Sequence, residues 1–89
     1  LSLKSLSLYF TGVREIRAVG GMPLETLDVG KCRHLIDLRV LRTCRHLKVL
    51  RVPRQAGNIE FLKDHKNLKV LSYDTLTQDV EDFWREYKK

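Results

Sequence analysis

The tetrapeptide Cys-Arg-His-Leu occurs twice in this chain, at 32–35 and at 44–47. Thiolate and imidazole are ligands that zinc prefers, but structural zinc sites usually place two cysteines two to four residues apart. Here the two cysteines are much farther apart in the sequence. If the tetrapeptides lie at opposite ends of one strand, they are separated by about 17 to 20 Å, whereas zinc bonds are near 2 Å. We therefore expect Cys32 and Cys44 to be buried structural residues, with no metal and no cofactor.

No other group of residues in the sequence predicts catalysis. His65 lies in the polar run Lys63 to Lys66 with no acid or thiol at a useful spacing, and we expect it to be an exposed turn residue. The sequence has no nucleophile elbow and no glycine-rich phosphate loop, since Gly20-Gly21 precedes Pro23 in a turn. We predict that the chain is not an enzyme.

A recurring leucine pattern defines the structural elements. Runs of the type Leu-x-x-Leu-x-Leu/Val/Tyr begin at Leu3, Leu24, Leu47 and Leu68, at spacings of 21, 23 and 21 residues. A period in the twenties indicates a stack of like units. In each run the last two apolar residues alternate as in a short strand, and later apolar residues recur every three positions, which is typical of a 3₁₀ or helical return segment. Each unit is therefore predicted to be a strand followed by a return segment.

This pattern resembles the leucine-rich repeat family, whose repeat reads L-x-x-L-x-L-x-x-N/C-x-L. The second unit matches best because Cys32 occupies the Asn/Cys position, which Thr11, Gln55 and Leu76 take in the other units. The stretch Leu35-Ile36-Asp37-Leu38 also resembles the L-T-D-L of bacterial repeats. The resemblance implies an α/β fold, a leucine-rich repeat solenoid of about four units with a parallel sheet on its concave face. The units lie near 3–23, 24–46, 47–67 and 68–76.

The last segment, 77–89, predicts a C-terminal capping helix. Val80, Phe83, Trp84 and Tyr87 share one face of an amphipathic helix. Thr77 is the expected N-cap, acidic residues follow it, and Lys88 and Lys89 lie at the end, as the helix dipole favours. Such a helix would cover the apolar edge of the last repeat. The segment 80–87 resembles the closing helix of bacterial leucine-rich repeat proteins, several of which carry the repeats behind a serine/threonine protein kinase domain.

The net charge of +6 is concentrated in the middle of the chain. Between Lys31 and Arg54 there are eight basic residues against Asp37 alone. Such a zone attracts acidic partners or phosphate backbones, or serves only as a solvated face. The repeat register divides it between two faces, with Arg39, Arg42 and Arg45 on the convex side. This division disfavours nucleic acid, which needs one continuous basic track.

Cellular context follows from what the sequence lacks. No apolar run reaches the roughly 18 to 20 residues of a membrane span, and no signal peptide opens the chain. With two cysteines and no Asn-x-Ser/Thr acceptor, a reducing cytoplasm is the expected compartment, without a membrane partner. Because the sequence begins at Leu1, without an initiator methionine and directly inside a repeat, we expect it to be the C-terminal part of a larger protein, preceded by further repeats or another domain.

The predicted concave face carries three rows of side chains. The first holds Ser5, Thr26, Val49 and Val70; the second holds Ser7, Asp28, Arg51 and Ser72; the third holds Tyr9, Gly30, Pro53 and Asp74. Asp28 lies opposite Arg51, which predicts an ion pair across two strands. Aromatic and arginine side chains are frequent binding anchors. The preferred contacts are Tyr9, Phe10, Asp28, Arg51 and Arg54, although Tyr9 or Phe10 could instead pack against a preceding repeat.

These observations favour a noncatalytic module, or scaffold, that binds another protein through its concave face. The first alternative is a regulatory or targeting segment of a serine/threonine protein kinase. The second is nucleic-acid or anion binding through Arg39, Arg42, Arg45 and Arg51.

Overall fold

The computed structural model describes residues 3–57, 59–73 and 78–87. Within these ranges, strands alternate with short 3₁₀ helices along the chain. The strands are β1 (Ser5–Ser7), β2 (Thr26–Asp28), β3 (Val49–Val52) and β4 (Val70–Tyr73). The 3₁₀ helices are η1 (Arg17–Val19), η2 (Arg39–Thr43) and η3 (Glu60–Asp64), and one α-helix, α1 (Val80–Glu86), follows β4. The predicted order of strand and return segment is confirmed for these elements.

The described strands form one parallel sheet in the order β1-β2-β3-β4. Its register aligns Ser5, Thr26, Val49 and Val70 in one row and Ser7, Asp28, Arg51 and Ser72 in another. Both rows are those that the sequence predicts. A shift of one residue would turn the leucines between them toward solvent, so burial of those leucines fixes the alignment.

The core lies between the sheet and the 3₁₀ helices. Leu27, Leu50 and Leu71 have no exposed surface, and they face the return segments from the middle of β2, β3 and β4. From the other side the core receives Val19 of η1, Leu41 of η2 and Leu62 of η3, each nearly or fully buried. Short strands thus remain ordered because each contributes to a shared apolar layer.

Side chains also join neighbouring units by hydrogen bonds to backbone carbonyls. After the strands, Cys32 Sγ donates to Leu8 O at 2.9 Å, and Gln55 Nε2 donates to Cys32 O at 2.6 Å and to Leu35 O at 2.8 Å. Turning segments leave carbonyls that need partners when they are removed from water. Gln55 therefore satisfies the backbone of the preceding turn although it is neither Asn nor Cys.

A second set of such bonds follows the 3₁₀ helices. Cys44 caps η2 and its Sγ donates to Val19 O at 3.3 Å. His65 caps η3, and its Nε2 lies 2.7 Å from Leu41 O. The expectation that His65 is an exposed turn residue is wrong, because this contact and the nearby Phe61 ring, 6.0 Å away, partly bury the imidazole.

The C-terminal segment pairs with β4 before it becomes helical. Leu71 N donates to Gln78 O at 3.0 Å and Val80 N donates to Lys69 O at 2.9 Å, so the chain runs antiparallel along the outer edge of β4. The helix begins at Val80, and Asp79 is its N-cap, with Oδ1 accepting from Glu81 N at 2.8 Å. The prediction that Thr77 is the cap is wrong, since this pairing delays the start of the helix. Thr77, Lys88 and Lys89 lie outside the described residues.

The helix α1 packs on the end of the sheet through aromatic side chains. Phe83 is 2% exposed, and its ring centroid lies 5.0 Å from that of Tyr73 on β4. Trp84 and Tyr87 surround Phe83 at 5.1 and 5.9 Å and are only partly buried. The fold is thus an α/β fold with a four-strand parallel sheet and one C-terminal helix. No helix in the described ranges is both long and apolar enough to cross a membrane.

Candidate functional site

The candidate site is the face of the sheet that points away from the core, here called the open face. It comprises the outward-pointing residues of β1 to β4, whose neighbours on each strand supply the buried leucines. A shallow depression of about 120 Å³ lies at its centre. Its lining residues are Thr26, Leu27, Asp28, Val49, Arg51, Val70 and Ser72. The depression is too small for a drug-sized ligand, which needs roughly 300 Å³ or more, but it suits a side chain of a partner.

An ion pair occupies the middle of the open face. Arg51 Nη1 lies 2.8 Å from Asp28 Oδ2, which confirms the predicted pair between β2 and β3. Asp28 Oδ1 also accepts from Gly30 N at 2.9 Å, so the carboxylate is held from two directions. The side chains are 20% and 30% exposed for Asp28 and Arg51. Both groups therefore remain accessible to a partner while their orientation is fixed.

Tyr9 and Phe10 form an aromatic corner where β1 ends. Phe10 has a φ of 59°, in the left-handed region that non-glycine residues rarely adopt, and its N–H donates to Gly30 O at 2.9 Å. The ring is 65% exposed, and the two ring centroids are 6.4 Å apart. Lys31, at the equivalent place after β2, has a similar φ of 56°. The turn geometry thus presents the Phe10 ring to solvent.

Arg54 lies apart from the aromatic corner, after β3. Its guanidinium carbon is 5.3 Å from the centre of the Tyr73 ring on β4, a cation–π contact. Burial raises the pKa of the Tyr73 hydroxyl, and the charge of Arg54 partly opposes that rise. The predicted site residues therefore fall into three places: the central ion pair, the corner beside β1 and the Arg54 contact near β4. Asp74 of the third row lies outside the described residues.

Two valines of the open face were not among the preferred contacts. Val49 is 38% exposed and Val70 is half-buried, and they are partners in the register of β3 and β4. Apolar side chains that point to solvent are common one by one, but here they line the same depression. The signal was present in the sequence, because both valines occupy first-row positions where the other two residues are Ser5 and Thr26.

The basic zone is largely engaged in contacts within the chain. Arg39 Nη2 lies 2.9 Å from Asp37 Oδ2, and Arg42 lies over the Phe61 ring at 5.5 Å. Hydrogen bonds from Arg39 lower the pKa of Asp37 to about 2. With Arg51 paired to Asp28, three of the four arginines that the nucleic-acid hypothesis requires already have partners. This arrangement weakens that hypothesis.

A larger groove lies between the return segments of the first two units. This groove of about 490 Å³ is lined by residues 14–17 together with His34, Ile36, Asp37 and Val40. Its charged residues include the exposed pair Glu15 and Arg17, 2.8 Å apart. The ion pairs of this groove, Glu15–Arg17 and Asp37–Arg39, are both exposed and therefore solvated. We favour the open face, where the ion pair is less exposed and lies beside two valines.

The two cysteines are free and fully buried, as the sequence predicts. Within residues 3–57, 59–73 and 78–87, no group of three or more His, Cys, Asp or Glu side chains is placed to hold a metal ion. No family model, curated protein or solved structure matches this chain.

Proposed function

We propose that this chain is a noncatalytic protein-binding module of the leucine-rich repeat type, with the open face as its concave binding surface. The observation that carries the proposal is a sheet whose solvent side combines an oriented ion pair with the exposed Val49 and the half-buried Val70. A surface of this kind offers an apolar centre and polar groups of fixed direction, which are the elements of a protein interface.

The repeat assignment is supported by features that recur at the repeat spacing. Leu27, Leu50 and Leu71 occupy the same buried place on successive strands. Cys44 and His65 repeat the contact from the end of one 3₁₀ helix to a carbonyl of the preceding one. Equivalent positions thus make equivalent contacts, as expected when like units stack. Two buried free thiols are compatible with a reducing cytoplasmic setting.

A site-specific photocrosslinker tests the binding surface. Benzoylphenylalanine would replace Val49 on the open face and, in a matched variant, Ile36, which is 61% exposed among the return segments. The two variants would be irradiated in an extract of the source organism, and the adducts identified by mass spectrometry. We expect a discrete protein adduct from position 49 and none of the same identity from position 36.

A second variant checks that the adduct reflects docking on the open face. Arg51→Ala in the position-49 crosslinker background removes the partner of Asp28 and should reduce the adduct several-fold. Identical adducts from positions 49 and 36, or an adduct that Arg51→Ala leaves unchanged, would contradict the proposed surface.

A further inference from the structure

We infer that the partner of the open face is an acidic, extended protein segment that crosses the four strands; this inference rests on the proposed protein-binding function. It follows from the line of charged residues that directly precede the strands, here called the strand-start rim. The rim consists of Lys4, Glu25, Lys48 and Lys69.

The rim residues are neighbours in space because their backbones are hydrogen-bonded in sequence across the sheet. Glu25 N donates to Lys4 O at 2.7 Å, Lys48 N to Glu25 O at 2.8 Å, and Lys69 N to Lys48 O at 2.8 Å. The three lysines are exposed. Glu25 Oε1 lies 3.6 Å from Lys48 Nζ, so the one carboxylate of the rim is already matched by a lysine. Lys4 and Lys69 have no ionic partner within the described ranges, and they leave the rim positively charged.

The central ion pair does not cancel the charge of the rim. Together the rim and the pair contain four basic and two acidic side chains. Asp28 is paired with Arg51, as Glu25 is with Lys48. The remaining basic residues, Lys4 and Lys69, supply the excess positive charge. A surface with this balance steers acidic partners toward it and repels basic ones.

Dimensions favour an extended segment. Neighbouring strands lie about 4.8 Å apart, so the rim spans about 14 Å from Lys4 to Lys69. An extended chain advances about 3.3 Å per residue, so about five residues cover the rim, and alternate side chains point in opposite directions. One such segment can direct carboxylates toward the lysines and apolar side chains toward Val49 and Val70, which lie beside the rim on β3 and β4.

A nucleic acid fits this surface less well. Phosphates would gain nothing from Val49 and Val70, the apolar side chains of the central depression. Arg39 and Arg42, which would extend a phosphate track, are engaged with Asp37 and Phe61. An acidic polypeptide uses both the rim and the apolar depression, so we favour it over a nucleic acid.

Fluorescence anisotropy with defined probes tests the inference. The 89-residue chain would be titrated into a labelled, end-capped peptide of about seven alternating Glu and Val residues, long enough to span the rim. The matched probes are a peptide with Lys in place of Glu and a DNA duplex of about 20 base pairs. We expect binding of the glutamate peptide only, weakening as salt rises from about 50 to about 200 mM.

Charge variants locate the binding. Lys69→Glu should weaken binding of the glutamate peptide about 3- to 10-fold, and Val49→Ser should weaken it about threefold. Arg14→Glu makes the same charge change on the exposed groove side and should alter binding less than about twofold. Thermal melts of each variant confirm that folding is retained.

The outcomes separate the inference from the proposed function. If the position-49 crosslinker captures a protein but the glutamate peptide does not bind, or binds Lys69→Glu unchanged, the partner is not acidic and the protein-binding function stands. If the duplex binds more tightly than the peptide and Lys69→Glu weakens it, the surface is a nucleic-acid site and both proposals fail.

Discussion

The two ends of the sheet differ in how they are covered. At β4, the outer edge is paired with residues 78–80, and Phe83 closes the core beneath it with 2% exposure. At β1, Leu6 and Leu8 are only partly buried, and Leu3 is 43% exposed. Among the described residues, β1 pairs with β2 alone, and no strand is paired with its outer edge.

This difference shows that position within a strand does not by itself determine burial. Leu6 aligns with Leu27, which is fully buried, yet Leu6 is not. A leucine in a stacked unit needs a neighbour on both sides before its surface is removed from water, and each removed square ångström contributes about 25 cal/mol. Stability should therefore increase from β1 toward the covered end of the sheet.

The largest expected effect compares the same repeat position in two units. Leu50→Ala leaves a cavity in a fully buried site and should lower the free energy of unfolding by about 3 to 4 kcal/mol. Leu6→Ala removes a partly buried side chain and should cost about 1 to 2 kcal/mol. Urea denaturation measures both values; equal losses would show that the open edge is as well packed as the centre.

The covered end can be broken by removing its aromatic anchor. Phe83→Ala should cost about 3 kcal/mol, because the buried ring lies against Tyr73 and fills the end of the core. Trp84→Ala should cost about 1 to 2 kcal/mol, since the indole is partly exposed and its contacts include Lys63 at 5.0 Å. Thermal denaturation of the two variants ranks them. A greater loss of stability for Trp84→Ala than for Phe83→Ala would show that the indole, and not Phe83, holds α1 on the sheet.

A smaller loss of stability is expected at the contacts between neighbouring units, here called seams. Gln55→Ala removes the amide that donates to Cys32 O and Leu35 O between the second and third units, and it should cost about 1 to 2 kcal/mol. Thr11→Ala is the matched change at the seam between the first and second units. The Thr11 hydroxyl donates to Leu8 O of its own unit at 2.8 Å, and its contact across the seam is the longer one to Cys32 Sγ at 3.7 Å. It should cost about 0.5 kcal/mol. Chemical denaturation with similar losses for both variants would remove the distinction between these seams.

The smallest effect is the pH response of an exposed pair on the return segments. Arg39 lowers the pKa of Asp37 to about 2. The charged carboxylate therefore stabilises the folded state fully above the ordinary pKa of 3.8, and this contribution is lost as pH falls through about 2. Carboxyl NMR should give a midpoint near 2 for Asp37, and Arg39→Ala should return it toward 3.8. A midpoint unchanged by that substitution would show that the ion pair is not formed in solution.

The sequence predicts the sheet well because two independent regularities agree. The spacing of 21 to 23 residues aligns the strands, and the alternation of leucines selects the buried side. That alignment also predicts the Asp28–Arg51 pair, which needs only the register and opposite charges. The start of α1 is harder to predict, because Thr77 and Asp79 are both good N-caps. The choice depends on pairing with β4, a contact between distant parts of the chain.

Side-chain reach explains what else the sequence did not disclose. Gln55 does not match the Asn/Cys of the leucine-rich repeat pattern that the sequence resembles, but its amide is long enough to satisfy two carbonyls of the preceding turn. His65 reaches Leu41 O only after η2 and η3 are stacked, so residue type alone does not predict this contact. On the open face, Val49 and Val70 are candidate binding residues because they line one depression, and residue type alone does not reveal that shared position.

Both cysteines hold the second unit to the first, Cys32 through Leu8 O beside the strands and Cys44 through Val19 O beside η1. Neither sulfur is exposed, so a thiol reagent reaches them only when this seam opens. The modification rates of the two thiols therefore report how often the contact between the first and second units opens. Equal modification rates would mean that the first unit detaches as a whole, whereas unequal rates would mean that its strand side and its return side open separately.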